Sequence, residues 1–202
     1  MYRAAFLAVT VAAGVASGNL ITNGTFEDTN TDGNFGDDWF TFGAAAVNFE
    51  FFPNGNPGHG TLFGDNVSNF GGIFQLGIAG TEGTEYEFSI DGQFEAEWDA
   101  RLRFGLEFYL ADDTTKIGEA LVEITNDSDL AGTGYNTFVM SAIAPTDTAI
   151  IRPIVLFDNV QSGGSQRAST WDNASLVVVP APATAMIAGL GAVFAVRRHR
   201  AS

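Results

Sequence analysis

Over residues 85–91 the chain alternates strictly, with Tyr86, Phe88 and Ile90 on one side and Glu85, Glu87, Ser89 and Asp91 on the other. The same alternation runs further over residues 101–110. There Leu102, Phe104, Leu106, Phe108 and Leu110 share one face, and Arg101, Arg103, Gly105, Glu107 and Tyr109 share the opposite one. A period of two belongs to an extended strand, whose successive side chains point to opposite faces, so each stretch predicts a strand with one buried and one solvated side. Shorter apolar or alternating runs predict further strands over residues 39–42, 47–52, 60–63, 72–78, 117–124, 136–143 and 149–157. Turn-rich stretches such as Pro53-Asn54-Gly55-Asn56-Pro57-Gly58 and Asp112-Asp113 separate them. The middle of the chain carries no convincing helical period. Roughly ten strands without a long linker predict one all-β domain over residues 18–179, an antiparallel β-sandwich or jelly roll.

The two ends follow a different pattern. Arg3, an apolar stretch over residues 4–15, and the small residues Val15-Ala16-Ser17 before Gly18 predict a signal peptide over residues 1–17, removed by signal peptidase. At the other end, Val177-Val178-Val179-Pro180-Ala181-Pro182 leads into an apolar segment over residues 183–196 and then Arg197-Arg198-His199-Arg200. The apolar segment falls short of the roughly 20 residues that cross a bilayer comfortably. The arginines hold its end on the cytoplasmic side. A proline motif, a short hydrophobic helix and a terminal arginine cluster, over residues 180–202, resemble the PEP-CTERM sorting signal of Gram-negative bacteria, although the motif here is Pro-Ala-Pro rather than Pro-Glu-Pro. That resemblance implies handling by an exosortase, membrane contact through the tail before processing, and a destination at the cell surface or in extracellular matrix.

Composition narrows the function. All 24 acidic residues lie between the terminal segments, whereas Arg3, Arg197, Arg198 and Arg200 account for four of the nine basic ones, so the middle carries a formal charge of 5 − 24 = −19. A surface of that sign repels phosphate backbones and excludes nucleic acid as a partner, while it suits divalent cations. With no cysteine, neither a disulfide framework nor thiol chemistry is available.

Several short motifs occur in an order that resembles carbohydrate-binding modules of the galactose-binding-like jelly-roll superfamily. They are Asn19-Leu20-Ile21-Thr22-Asn23-Gly24-Thr25-Phe26-Glu27 as opening strand and turn, Trp39, Gly60-Thr61-Leu62-Phe63, Ile73-Phe74-Gln75, and Gly83-Thr84-Glu85-Tyr86-Glu87-Phe88. Ala144-Pro145 before residues 150–157, and Trp171-Asp172-Asn173-Ala174-Ser175-Leu176, complete the series. The resemblance implies a structural calcium joining the first and last strands, held by Glu27, Asp172 and a carbonyl near Thr25. Calcium favours six to eight oxygens, and two distant carboxylates brought together repel without a cation. The family often places an acidic residue where His59 stands. Without a metal, Glu27 simply ends a turn and Asp172 starts the last strand.

For a ligand, the polar face of the strand over residues 101–110 offers Arg101, Arg103, Glu107 and Tyr109, and Arg152 joins it if Ile151, Pro153 and Val155 face inward. Sugar sites combine an aromatic platform with planar polar groups that take hydroxyls. Trp39, Trp98, Tyr109 and Trp171 are candidate platforms beside the many phenylalanines. The plainer alternative makes these charges cross-strand pairs worth at most about one kcal/mol.

An enzymatic alternative rests on Glu95, Glu97 and Asp99, which an extended backbone sets on one face as glycoside hydrolysis requires. His59 and His199 stand apart, so no nucleophile, base and orienting group assemble, and the expectation is a protein without catalytic activity. Asn-x-Ser/Thr triplets at Asn23, Asn66, Asn126 and Asn173 carry little weight in a bacterial protein, and Asn23 and Asn173 read as turn or strand-edge residues.

Overall fold

The structure, a computed structural model, describes residues 18–27, 37–43, 49–51, 60–64, 70–94, 101–124, 134–158 and 167–180. Among the described residues eleven strands form where the apolar alternation runs: β1 (Trp39–Gly43), β2 (Phe49–Phe51), β3 (Gly60–Gly64), β4 (Phe70–Gln75), β5 (Ile78–Ala79), β6 (Glu85–Phe94), β7 (Arg101–Tyr109), β8 (Lys116–Ile124), β9 (Asn136–Ile143), β10 (Ile150–Asp158) and β11 (Arg167–Val178). They pair antiparallel in two sheets. The first runs β1-β4-β10-β7-β8 with β5 added on β10, and the second runs β2-β3-β11-β6-β9. The all-β, antiparallel sandwich expected from the pattern is therefore what the chain adopts. The single strand expected over 72–78 is two pieces, β4 and β5, broken at Gly77, whose φ of 75° leaves the extended region.

The inner faces bury the residues that the alternation marks as apolar. Tyr86, Phe88, Ile90 and Phe94 of β6 and Trp171 and Leu176 of β11 face Leu102, Phe104, Leu106 and Phe108 of β7 and Ile151, Val155 and Phe157 of β10. Phe88 meets Phe104 with ring centroids 5.9 Å apart, and Trp171 packs edge-on against Phe94 at 5.7 Å. Each such buried side chain contributes about 1.5–3 kcal/mol, and removing a buried aromatic costs about 3–5 kcal/mol.

The N-terminal segment closes onto the last strand, but as a turn rather than the opening strand implied by the family resemblance. Residues 18–27 make no ladder. The Leu20 amide donates to the Leu176 carbonyl at 2.8 Å, and the Ala174 amide to the Gly24 carbonyl at 2.7 Å. Asn19 serves both directions, its Nδ2 donating to the Ala174 carbonyl at 3.1 Å and its Oδ1 accepting from the Leu176 amide at 2.9 Å. Turn residues take over because Asn23 and Phe26 adopt φ of 50° and 53°, which a ladder cannot accommodate. Gly24 is required there, since a Cβ would lie 2.1 Å from the Ala174 carbonyl oxygen. The fold is thus closed by its own ends.

The signal peptide expected over residues 1–17 and the sorting segment beyond Pro180 lie outside the described residues. Among those described, no helix is long and apolar enough to cross a membrane.

Candidate functional site

Register places the outer face of the first sheet as a grid. Opposite residues in antiparallel strands share a face, so Arg103 of β7 stands beside Leu156 of β10, which stands beside Gly72 of β4 and then Phe42 of β1. One row along, Gly105, Ile154, Phe74 and Phe40 follow one another, with Leu121 of β8 beyond Gly105. Arg152 stands opposite Glu107, and Asp158 stands between Arg101 and Phe70. All five residues expected at a ligand site, Arg101, Arg103, Glu107, Tyr109 and Arg152, therefore share this face.

The polar half of the grid is cross-linked. Asp158 accepts from Arg101 Nε at 2.5 Å and Nη2 at 2.7 Å, and from Arg103 Nη2 at 2.5 Å. These bonds, that from Arg101 foremost, hold its carboxyl below the usual carboxylate range. Arg103 Nε is buried without a hydrogen-bond partner. Arg152 donates from Nη2 to Asp113 Oδ1 at 2.8 Å and to the Asp113 carbonyl, while its guanidinium lies 4.0 Å above the Tyr109 ring and 5.4 Å from that of Phe74. Tyr109 donates to Glu107 Oε2 at 2.7 Å, and burial with that bond pushes its hydroxyl up to about 12. Lys116 completes the set at 3.1 Å from Glu107 Oε1.

Tyr109 is consequently no open platform, because the Arg152 guanidinium covers its ring. The tryptophans correct in the same direction: Trp39 and Trp171 are buried in the core, the latter with 0% of its surface exposed. Trp98 lies outside the described residues, as do His59, Glu95, Glu97 and Asp99.

The platform that the sequence reading did not single out is a strip of four phenylalanines on β1 and β4. Phe40 and Phe70 are 46% and 48% exposed, and Phe42 and Phe74 are half-buried between them. Ring centroids step by 5.8 Å from Phe40 to Phe74, 5.8 Å from Phe74 to Phe42 and 5.4 Å from Phe42 to Phe70. Beside the strip, on β10, Ile154 and Leu156 are buried although they point away from the core cluster, so this face has an apolar floor of its own. Gly72 keeps the floor low, for a Cβ there would meet the Val155 carbonyl oxygen at 2.1 Å and the Phe42 ring at 2.9 Å. An apolar strip edged by fixed guanidinium and carboxylate groups can stack on the C–H face of a sugar and hydrogen-bond its hydroxyls. Parity in the sequence sets Phe40 and Phe42 on the face opposite Trp39 without saying which face is outward.

The three residues expected to hold calcium lie at the closed junction. Asp172 is 4% exposed, accepts from the Asn173 amide at 2.7 Å, and stands opposite Asp91 across the β11–β6 pair. Burial first, then the charges of Asp91 and Glu27, push its carboxyl up to about 6. Asp91 is relieved by Thr137 Oγ1 at 2.5 Å and Asn173 Nδ2 at 2.9 Å. Glu27 is half-buried, with its backbone bracketed by Asn23, whose Oδ1 accepts from the Glu27 amide and whose Nδ2 donates to the Glu27 carbonyl, both at 2.7 Å. Thr25 is exposed on the same turn. Among the described residues no three His, Cys, Asp or Glu side chains group as a metal site, so a cation here would take Glu27, Asp172 and otherwise carbonyls and water. A buried carboxylate with one hydrogen bond, facing two like charges, is a chemically fitting position for such an ion.

No protein-family model and no curated protein matches this sequence. Solved structures do match its fold. They include the family 16 carbohydrate-binding module 2, at 21% identity and a TM-score of 0.52 over 79% of this chain and 99% of that one. The CBM22-1 xylan-binding domain of Paenibacillus barcinonensis Xyn10C matches at 13% identity and 0.52, over 84% and 100%. The enzymatically active domain of bacteriophage CBA120 tailspike protein 4 matches at 12% identity and 0.59, and the chain, 80% covered, spans only 21% of that protein. Likeness at these identities shows the fold, and the chain is an antiparallel jelly-roll β-sandwich of the kind used by carbohydrate-binding modules.

Proposed function

We propose that this chain is a non-catalytic glycan-binding protein, exported through its N-terminal segment and sorted by its C-terminal one to the bacterial surface or extracellular matrix. The ligand lies along the outer face of the first sheet, with Phe40, Phe42, Phe70 and Phe74 stacking on sugar rings and Arg101, Arg103, Glu107 and Arg152 addressing hydroxyls at the side. The observation that carries this reading is the phenylalanine strip, half exposed at both ends beside a buried apolar floor, a surface that is costly to leave in water. Neighbours that share the fold and are named as carbohydrate-binding support it.

Affinity electrophoresis of the chain in gels containing xylan and other soluble polysaccharides tests the proposal. Retardation by at least one polysaccharide is expected. Replacing Phe40 or Phe74 by Ala weakens it about two- to tenfold each, on about 0.5–1.5 kcal/mol per lost ring contact. A second reading, a structural matrix component without ligand, draws on the pairing of Arg101, Arg103 and Arg152 with Asp158 and Asp113. It predicts no retardation in any gel.

Calcium belongs to the same proposal as a clamp rather than a reactant. Held by Glu27, Asp172 and a carbonyl near Thr25, it would neutralise the repulsion at the junction and tie the N-terminal turn to β11. Cleavage of the tail by an exosortase is tested by mass spectrometry of the protein recovered from the bacterial surface, which is expected to end before Arg197.

A further inference from the structure

Each sheet of a sandwich ends in two edge strands, whose outer N–H and C=O groups stand open to another strand. Proteins blunt such edges by keeping them short or by placing charges, proline or bulges on them. Three of the four edges among the described strands are blunted in this way. β1 has five residues and β2 has three. β8 carries Lys116, Glu119 and Glu123, and its register with β7 shifts between Phe108 and Tyr109.

β9 has none of these devices. Its eight residues, Asn-Thr-Phe-Val-Met-Ser-Ala-Ile, include no charge, no proline and no glycine, and they pair with β6 in unbroken register. No described strand pairs along its other side. On its outer face Val139 is 54% exposed and Ile143 is 66% exposed. In a chain of net charge −15, this neutral strand is a place where a like-charged copy can come into contact without placing acid against acid.

We infer that β9 pairs antiparallel with β9 of a second copy about a two-fold axis through Val139, joining two five-stranded sheets into one of ten. In that register the strand is complementary to itself. Val139 meets Val139 of the second copy, Thr137 meets Ser141, Tyr135 meets Ile143, and on the inner side Phe138 meets Met140. The acidic row Glu85, Glu87 and Asp91 lies one strand in, on β6. Across the axis the two rows are three strand spacings apart, about 14 Å. That distance exceeds the Debye length of about 8 Å at physiological salt and falls inside the value of about 30 Å near 0.01 M. Association therefore strengthens with salt. A basic peptide taking the same edge is drawn by the acidic row and weakens with salt, so the sign of the salt effect separates the two occupants. This inference stands independently of glycan binding.

Sedimentation velocity of the full chain over a range of concentrations, at about 0.01 M and about 0.5 M salt, tests it. The expected result is a monomer–dimer equilibrium that tightens severalfold at high salt. Val139→Lys sets two like charges opposite each other at the axis and loosens the equilibrium at least tenfold. At dilutions where both are monomers its thermal midpoint stays near the parent's because the side chain is half in water, and Val139→Thr keeps the dimer. Hydrogen exchange over residues 136–143 slows as concentration rises, while that over residues 116–124 does not. A monomer at every concentration and salt, a dimer indifferent to Val139→Lys, association that weakens with salt, or β9 exchange independent of concentration each overturns the inference.

Discussion

The outer faces of the two sheets are built from the same alternation and carry opposite surfaces. On the first sheet the outward positions of β1 and β4 are phenylalanines and Gly72, those of β10 include Ile154 and Leu156, Arg101 and Arg103 of β7 are tied down by Asp158, and Arg152 of β10 by Asp113. On the second sheet the outward row of β6 is Glu85, Glu87, Ser89, Asp91 and Gln93, flanked by Thr170 and Ser175 on β11. Both sheets bury an equivalent inner face, so folding alone does not call for a second apolar layer on one of them. The difference teaches where to look for function: half-exposed phenylalanines beside a buried apolar floor and fixed polar edges leave apolar surface in water and invite a ligand, whereas a solvated hydroxyl and carboxylate row does not.

The comparison breaks most sharply at Gly72. Gly72→Val drives a side chain into the Val155 carbonyl and the Phe42 ring, and is expected to lower stability by about 1–3 kcal/mol in chemical denaturation while flattening the phenylalanine strip. Ser89→Val, outward on the second sheet, is expected to change stability by no more than about 0.5 kcal/mol.

The next effect belongs to the junction. The Asp172 carboxyl is raised in the folded chain, so folding disfavours its ionised form, and its penalty grows as pH rises from about 4 through about 6. In chelator, Asp172→Asn is therefore expected to match the parent near pH 4 and to exceed it at pH 7.5 by on the order of 2 kcal/mol in paired melts. With calcium present the order at pH 7.5 reverses, because the variant loses a ligand. A variant that stays the more stable one in calcium would speak against the clamp.

Loss of the junction hydrogen bonds comes next. Asn19→Ala removes a donor to the Ala174 carbonyl and an acceptor for the Leu176 amide, at an expected cost of about 1–2 kcal/mol by denaturant titration. The smallest effect is on the polar edge, where Arg101→Ala leaves Asp158 still bonded to Arg103 and is expected to leave the denaturation midpoint nearly unchanged.

Much of this fold was legible in the period-two pattern. The limits of β9 coincide with the expected 136–143, and β7, β8 and β10 fall within a residue of expectation, because alternating strands declare both their type and their buried face. Arg152 was placed on the correct face by the parity of Ile151, Pro153 and Val155. The platform was not legible, for two physical reasons. Residues 39–42 carry an aromatic on each face, Trp39 on one and Phe40 and Phe42 on the other, so alternation distinguishes no outward side, and the strand expected from Gly72 onward leaves Phe70 outside it. Long-range register hid the rest: Arg152 covers Tyr109 from a strand 43 positions away, and Asp158 gathers Arg101 and Arg103 only through the β10–β7 pairing. The tryptophans misled because exposure, not residue type, makes a platform. Trp171 fits the core because Gly92 opposite it has no side chain.

The central claim is that the phenylalanine face of the first sheet binds a glycan, and affinity electrophoresis of three proteins tests it most directly. The parent chain and Glu87→Gln, a change on the opposite face, are expected to be retarded equally by at least one polysaccharide, with xylan tried first. Phe40→Ala combined with Phe74→Ala is expected to bind about four- to hundredfold more weakly and to be retarded correspondingly less. Retardation undiminished by the double replacement, or none by any polysaccharide for the parent, would contradict the account.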